Sequence, residues 1–318
     1  MQLDVLIERD NDIKNIIGCH NVNLKTLESI FDCIIDIRGN VIITDLEDDN
    51  KINILQDIFN ILIEMCRKGI NITARDIIYI NNIILEGKKN LYLEFISKRK
   101  PICHTALNKP IYAKTIKQDE YILSLKKKDL IFSIGAAGTG KTYLAVCYAV
   151  SELKKGNIGK IILTRPAVEA GESLGFLPGD LKEKVDPYLR PLYDALYDML
   201  GVEQTQNLID KEIIEIAPLA YMRGRTLENA FIILDEAQNA TIDQLKMFLT
   251  RLGFNSKMVV TGDISQIDLP NPKKSGLKIS ATMLKDLEEV ELIIFDKYDV
   301  VRHPLVGKII EKFEQLDN

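Results

Sequence analysis

The most informative residues of the chain form a glycine-rich loop, which lies between an apolar run and a run typical of a helix. The loop consists of Gly135, Ala136, Ala137, Gly138, Thr139, Gly140, Lys141 and Thr142. Its small residues let successive N–H groups point inward, and the N-terminus of the following helix adds partial positive charge. Lys141 can then reach the β- and γ-phosphates of a nucleotide, and the Thr142 hydroxyl suits Mg²⁺. The flanking runs favour a nucleoside triphosphate site over a plain glycine turn.

Two acids stand where a second apolar run ends. Residues 230–234 read Ala-Phe-Ile-Ile-Leu and are followed by Asp235 and Glu236. Asp235 would hold the hydration shell of Mg²⁺, and Glu236 would orient or deprotonate the attacking water. The acids could instead cap the next helix, because acids are favoured in a first helical turn. With the phosphate loop upstream, we favour the catalytic interpretation, and with it hydrolysis of the nucleotide.

Two later residues could act on the γ-phosphate. Gln266 follows the apolar strand that begins at Met258. Because parallel strands bring such loops to one sheet edge, Gln266 could sense the γ-phosphate or align water. The alternative is an ordinary turn. Arg302 could stabilise charge on the transferred phosphoryl group, or form a salt bridge.

Taken together, the motifs resemble the bacterial PhoH-like family. The phosphate loop occurs in very many nucleotide-binding proteins, whereas the blocks 165–180 and 221–226 are specific to this family. The resemblance covers roughly the last 200 residues. It also includes Ala113-Lys114-Thr115, Gln118, Tyr121, Leu234-Asp235-Glu236-Ala237-Gln238-Asn239, Thr261-Gly262-Asp263, Gln266 and Val301-Arg302-His303-Pro304-Leu305-Val306.

The resemblance implies a cytosolic ATPase that uses ATP and Mg²⁺ and has a RecA-like, helicase-superfamily-like core. It also implies a link to RNA metabolism and to a YbeY-type endoribonuclease. By the same resemblance, Gln118 reads the adenine edge, Gln266 couples phosphate to nucleic acid, and Arg302 is an arginine finger. Three arginines of the family blocks could contact RNA phosphates, contact ATP in a neighbouring subunit, or form structural ion pairs. They are Arg165, Arg223 and Arg225.

Apolar strands alternate with helical stretches around these motifs. Strands are expected at 130–134, 160–164 and 212–216, a helical region at 181–200, and three more strands after residue 216. Such alternation indicates a parallel sheet covered by helices on both faces, with ligand at the carboxyl edge of the strands. With the resemblance, residues 113–318 are predicted to form an α/β, RecA-like P-loop NTPase domain.

Residues 1–100 are predicted to form a separate, small α+β domain. A hairpin is expected at 33–44, and an amphipathic helix at 52–66. Residues 17–24 resemble the G-x-x-G loop of KH modules, which clamps RNA backbone, although Asn21 stands where the second glycine should be. The domain is therefore predicted to be KH-like, with a structural or protein-docking role as the alternative to RNA binding. Residues 101–112 are predicted to be a linker.

Composition fits an enzyme of the cytoplasm. The chain has 318 residues, 46% of them hydrophobic, which is enough for a sizeable core. No apolar stretch approaches a membrane span, and the N-terminus lacks the features of a signal peptide. The five cysteines form no C-x-x-C pair and are expected to be reduced, without a zinc site.

Charge is distributed unevenly along the chain. The net charge is −5, yet residues 98–128 contain nine basic residues against two acids, a local charge of +7. This segment could contact nucleic-acid phosphates or simply be a solvated surface.

Size limits the mechanism. Only 177 residues follow Lys141 (318 minus 141), room for one RecA-like domain and not for two. We therefore expect a homo-oligomer, a hexamer by resemblance, with ATP at subunit interfaces. Two functions stay open: an RNA-linked ATPase, acting as a translocase or helicase with an endoribonuclease, or an ATP-dependent switch that regulates docking of a protein partner.

Overall fold

The computed structural model describes residues 1–166, 181–269, 271 and 274–300. These residues divide into two compact units, one from Met1 to Arg99 and one that begins at Lys100. Residues 103–104 and 110–111, within the expected linker, form two short paired strands of the second unit. The exact domain boundaries stay a prediction.

The first unit is a three-stranded antiparallel sheet with five helices. The sheet order is β1-β3-β2. The elements are β1 (Gln2–Leu6), α1 (Asp10–Ile17), α2 (Val22–Phe31), β2 (Ile35–Arg38), β3 (Val41–Thr44), α3 (Asp49–Arg67), α4 (Ala74–Leu85) and α5 (Lys89–Lys98).

The patterns seen in the sequence form this first core. The expected hairpin is present, with Arg38 paired to Val41 across a two-residue turn. The amphipathic helix is α3, and its apolar stripe is buried, with Leu55 and Phe59 fully enclosed. The stripe packs against the sheet and neighbouring helices, and Ile61, Ile63 and Met65, which lie outside it, are buried as well, so the C-terminal half of α3 is enclosed on more than one face.

The loop with the incomplete G-x-x-G pattern joins α1 to α2. Residues Cys19–Asn21 form one exposed 3-10 turn, in which His20 and Asn21 have φ values of 54° and 60°. Asparagine accepts this left-handed conformation more readily than most residues. The turn therefore exists without the second glycine. The KH-like assignment and RNA binding by this loop stay predictions.

The second unit is built on a six-stranded parallel sheet with the order β11-β6-β10-β9-β7-β8. This confirms the predicted α/β fold with a parallel sheet covered by helices. The elements are β4 (Cys103–His104), β5 (Pro110–Ile111), α6 (Ile116–Lys127), β6 (Leu130–Ile134), α7 (Lys141–Lys154), β7 (Lys160–Arg165), α8 (Leu181–Leu200), α9 (Val202–Asp210), β8 (Ile214–Pro218), β9 (Ala230–Leu234), α10 (Ile242–Leu249), β10 (Lys257–Gly262), α11 (Leu277–Leu284) and β11 (Val290–Ile294).

Apolar residues on alternate positions of the strands fill two cores. In β9, Phe231 and Ile233 pack with α7 and α8, whereas Ile232 and Leu234 pack with α10 and α11. Successive side chains of a strand point to opposite faces, so a strand buried on both faces must be apolar throughout. All five residues of β9 are buried. The sheet is therefore rigidly held where its strands lead into polar loops.

One strand begins later than expected. The sequence predicts 212–216, whereas β8 spans Ile214–Pro218. The Glu212 N–H bonds to the Ile209 carbonyl, and Glu212 has a φ of 56°, so this residue closes the turn after α9. Among the described residues, no helix combines the length and apolar character needed to cross a membrane.

Two capping boxes offer a test of whether the units are independent. The Thr241 hydroxyl accepts from the Gln244 N–H at the start of α10, and the Asp76 carboxylate accepts from the Thr73 N–H at the start of α4. Thr241→Ala and Asp76→Ala should each cost about 1 kcal/mol of unfolding free energy. When urea unfolding is monitored by circular dichroism, each change should shift a different unfolding transition.

Thr250→Ala is the matched control for the first change. Its hydroxyl bonds carbonyl oxygens at the other end of α10, so its effect should stay within about 0.5 kcal/mol. A single transition shifted equally by Thr241→Ala and Asp76→Ala would contradict independent units.

Candidate functional site

The carboxyl ends of three neighbouring strands bring the predicted phosphate loop and acids together. The loop follows β6 and the acids follow β9, and β10 lies between these two strands. Thr261 of β10 bridges the gap, because its hydroxyl donates to Asp235 Oδ1 at 2.8 Å. The Thr142 hydroxyl donates to the same oxygen at 2.6 Å. The buried Asp235 carboxylate thus joins the acid pair to the glycine-rich loop, whose Thr142 lies 93 positions earlier in the sequence.

The shape of the loop depends on its glycines at two points. Gly140 has a φ of 81° and immediately precedes α7, so the chain turns into the helix through a conformation that glycine adopts freely. A β-carbon at Gly135 would lie 2.6 Å from the β-carbon of Phe295, the residue after β11. Only glycine fits there without a shift of the neighbouring strand end.

Groups that could receive phosphate line the inside of the loop. Lys141 begins α7 and is only 8% exposed, and its Nζ lies 2.6 Å from the Gly135 carbonyl oxygen and 2.9 Å from that of Ala136. The Ala137 N–H donates to a carboxylate oxygen of Asp263 at 3.1 Å. A loop N–H that already meets an anionic oxygen, beside an ammonium group at a helix N-terminus, fits the phosphates of a nucleotide.

A magnesium ion also fits the donor set. Thr142 and Asp235 offer a hydroxyl and a carboxylate oxygen within 2.6 Å of each other at the mouth of the loop. Oxygen ligands of this kind suit Mg²⁺, which combines one or two protein ligands with water and substrate phosphates. Thr142 and Asp235 are therefore the residues that would hold the ion.

Glu236 is held by two neighbours. Arg165 Nη2 lies 3.0 Å from Glu236 Oε1, and the Gln238 amide donates to the other carboxylate oxygen. Glu236 itself has a φ of 53°, which is uncommon for a residue with a β-carbon. Its side chain is 34% exposed and lines the cavity beside the loop. A strained, partly exposed carboxylate with fixed partners is suited to act on a water molecule.

Gln238 connects this carboxylate to the loop. Its amide oxygen accepts from the Asp263 N–H at 3.0 Å, while the Asp263 carboxylate binds the Ala137 N–H. Gln238 is 1% exposed and Asp263 is 6% exposed. A continuous hydrogen-bonded path therefore runs from Glu236 through Gln238 and Asp263 to the backbone of the phosphate loop.

The two glutamines predicted as nucleotide contacts lie in different settings. Gln266 is exposed and lines the cavity, with its N–H bonded to the Asp263 carbonyl. Gln118 is buried against the outside of the loop, where its Nε2 donates to the Thr139 carbonyl and its Oε1 accepts from the Lys114 N–H. These two bonds use one of the two N–H donors and one of the two lone pairs of the amide, and the contact between Gln118 and adenine stays a prediction.

The arginines singled out in the sequence also have different surroundings. Arg165 meets Glu236, as described above. Arg225 forms a bidentate pair with Glu215, at 2.5 and 2.7 Å, and this pairing raises the pKa of the guanidinium. Arg223 is exposed. Arg302 lies outside the described residues, as do positions 167–180 of the family block.

A cavity of about 540 Å³ opens beside the loop, within the size range of small-molecule sites. Its far wall comes from α8, through Pro191, Asp194, Ala195 and Asp198. Tyr143 donates to the Asp198 carboxylate at 2.6 Å, and burial of the ring and this bond raise the pKa of the phenol. The helix that begins at Lys141 is thereby tied to the opposite wall.

Sequence reasoning gave no role to Gln238 and Asp263, and for Arg165 it left open contacts with RNA, contacts with ATP of a neighbouring subunit, and a structural ion pair without naming its partner. The signal for Arg165 was present, because it ends a strand next to β9 in a parallel sheet and must reach the same edge as Glu236. Gln238 and Asp263 follow strand ends in the same way. Tyr143 and Asp198 carry no such signal, since their contact depends on how α8 packs against α7.

Comparisons with known proteins agree with this arrangement. The family model described as "PhoH-like protein" matches residues 110–314. A PhoH-like protein of Bacillus subtilis (strain 168) is 54% identical over 97% of this chain and 96% of its own length. Protein PhoH of Escherichia coli (strain K12) is 47% identical over 64% of this chain and 58% of its own length.

Among solved structures, the large terminase of a thermophilic bacteriophage covers 62% of this chain and 49% of its own, with a TM-score of 0.39 and 13% identity. A likeness that weak carries no argument about function. The match to the family model and the identity over nearly the full chain do: this chain belongs to the PhoH-like family, on a P-loop ATPase fold.

Proposed function

We propose that this protein is an ATPase that binds ATP with Mg²⁺ and couples its hydrolysis to RNA. The observation that carries the hydrolysis part is the bond between the Thr142 hydroxyl and Asp235, with Glu236 one residue further on. It joins the phosphate loop to an acid pair at one cavity wall. Membership of the PhoH-like family agrees with nucleotide chemistry at this place.

Each residue of the loop edge has a part in the proposed reaction. The loop N–H groups and Lys141 bind the phosphates and offset their charge. Thr142 and Asp235 would hold a Mg²⁺ ion, which would supply positive charge to offset that of the phosphates. Glu236 accepts the proton of the attacking water, and Arg165 and Gln238 orient its carboxylate. Gln266, on the same cavity, is placed to contact the γ-phosphate or the water.

The RNA part of the proposal rests on the family resemblance and on surface charge. In the second unit, five lysines of the basic segment are exposed: Lys100, Lys109, Lys114, Lys126 and Lys127. Helix α6 carries two of these lysines at its C-terminal end and Gln118, in contact with the loop, near its N-terminal end. A rigid helix of 12 residues is a physical route by which contact with phosphates at one end could affect the loop at the other.

Assembly is part of the same proposal. An ATPase of this class needs a charged group opposite the γ-phosphate, and one RecA-like domain does not enclose its own nucleotide. We place Arg302 in that role, supplied by a neighbouring subunit of a homo-oligomer, a hexamer by resemblance. A YbeY-type endoribonuclease is proposed as the partner that would cut the RNA.

The first test separates binding from turnover. Lys141→Ala should weaken ATP binding on the order of tenfold to a hundredfold, because it removes charge-assisted hydrogen bonds worth roughly 1.5–3 kcal/mol. Glu236→Gln should bind ATP as the parent does but lower kcat by about 10²–10⁴-fold, the usual contribution of a general base. Calorimetry of ATP binding and steady-state phosphate release measure the two quantities.

Lys155→Ala is the matched control, since Lys155 follows the last residue of the same helix and pairs with Glu152 at the surface. It should leave both quantities unchanged. Parent-like turnover by Glu236→Gln would show that Glu236 is not the base, and unaltered ATP affinity of Lys141→Ala would remove the phosphate-loop assignment.

The second test concerns RNA. ATP hydrolysis by the parent should rise severalfold when single-stranded RNA is added, and it should fall again as salt is raised, because phosphate contacts release counterions. The measurement is steady-state phosphate release with and without RNA, with Glu236→Gln as the blank. Hydrolysis that is indifferent to RNA would favour the alternative, an ATP-dependent switch that regulates docking of a protein partner.

Sedimentation tests the assembly. With ATP and Mg²⁺, the Glu236→Gln protein, which should not consume its nucleotide, is expected to sediment as a closed oligomer of about six copies. Lys141→Ala under the same conditions is the control that lacks bound nucleotide. A monomer as the sole species in both samples would contradict ATP sites shared between subunits.

A further inference from the structure

Three sulfur atoms meet in the core of the second unit. Cys103 comes from β4, Cys147 from α7 and Met199 from α8, and the Met199 sulfur lies 3.2 Å from Cys103 Sγ and 3.5 Å from Cys147 Sγ. Both thiols donate to the Met199 sulfur, so the two Sγ atoms are neighbours on one common acceptor. Cys103 is 8% exposed, whereas Cys147 and Met199 are fully buried. None of these residues lines the nucleotide cavity.

The two thiols are not equivalent. The neighbouring Cys147 thiol lowers the pKa of Cys103, and the nearby Lys154 ammonium acts in the same direction. The Cys103 thiol, together with burial, raises the pKa of Cys147. The thiolate is the reactive form of cysteine, and reaction with an oxidant also needs access. Both conditions favour Cys103 as the first thiol to react and leave Cys147 as its neutral, enclosed neighbour.

We propose that Cys103 and Cys147 are an oxidisable thiol pair that a peroxide converts to a reversible disulfide between β4 and α7. The Cys103 thiolate attacks one oxygen of hydrogen peroxide, the O–O bond breaks, and Cys103 sulfenic acid and hydroxide form. The Cys147 sulfur then attacks the Cys103 sulfur. The S–S bond forms, the S–O bond breaks, and the hydroxyl group leaves as water with the Cys147 proton. The cysteines are oxidised and the peroxide is reduced.

Geometry makes this pair different from the other cysteines. Both Sγ atoms lie within 3.5 Å of the same Met199 sulfur, and a disulfide requires them to approach each other to roughly 2.05 Å. Cys66, by contrast, bonds to Asn15 and the Asp12 carbonyl in the first unit, and burial raises its pKa to about 11. Cys19 is exposed, so it reports the oxidant that reaches the surface.

The experiment uses the full chain, folded and reduced, with graded hydrogen peroxide. Thiols are blocked with N-ethylmaleimide after unfolding, and peptides are identified by mass spectrometry. We expect peptides containing Cys103 and Cys147 to appear linked, lighter by two hydrogen atoms, and to separate again after dithiothreitol. If both thiols stay fully alkylatable at peroxide concentrations that oxidise Cys19, the proposal is overturned.

Variants test the order of the two steps. In Cys147→Ala the sulfenic acid has no thiol to react with, so dimedone should label Cys103, whereas in the parent this label should be reduced severalfold. Cys103→Ser should abolish both the disulfide and the label, and Cys66→Ser is the matched control that should retain the disulfide. Thermal melting verifies that each variant is folded. Absence of a dimedone adduct at Cys103 in folded Cys147→Ala, or a parent disulfide to another cysteine, would contradict the proposal.

Discussion

The site depends on one carboxylate that hydrogen bonds hold in place with little access to water. Asp235 is only 7% exposed, and a buried carboxylate is costly unless hydrogen bonds compensate for the lost solvent. Two hydroxyls supply those bonds, Thr261 from the adjacent strand and Thr142 from the start of α7. Both reach the same oxygen because the three parallel strands end in register. The packing of the sheet thereby sets the chemistry at its edge.

Near this carboxylate, beyond the ends of the strands, polar side chains form hydrogen bonds in place of those that the backbone makes within the sheet. Glu236, Gln238 and Asp263 follow strand ends, where backbone groups lose their ladder partners, and they link to each other and to the loop. In a region of low dielectric constant, a fully satisfied network of this kind is rigid. Glu236 and the backbone of the glycine-rich loop therefore belong to one hydrogen-bonded structure, so displacement of one end would strain the bonds at the other.

Much of this arrangement follows from sequence, because strands buried on both faces must be apolar and the loop that follows must carry the polar groups. The phosphate loop, the acids and the sheet class could be predicted on that basis. The strand order could not, since no local pattern states that β10 lies between β6 and β9. The partners of Gln118, Arg165 and Tyr143 depend on that order and on helix packing, which is why the sequence alone could not identify these partners.

Contact between Gly135 and Phe295 has an evolutionary consequence. The phosphate loop and the end of β11 approach so closely that a β-carbon on one meets the β-carbon of the other. The same phenyl ring stands edge-on to Tyr121 of α6, which is fully buried. Substitution of residue 295 is therefore restricted, although it lies 160 positions from Gly135 in the sequence (295 minus 135). Among relatives of this chain, position 135 should remain glycine whichever side chain stands at 295, because the atoms that a β-carbon would meet include the backbone of residue 295.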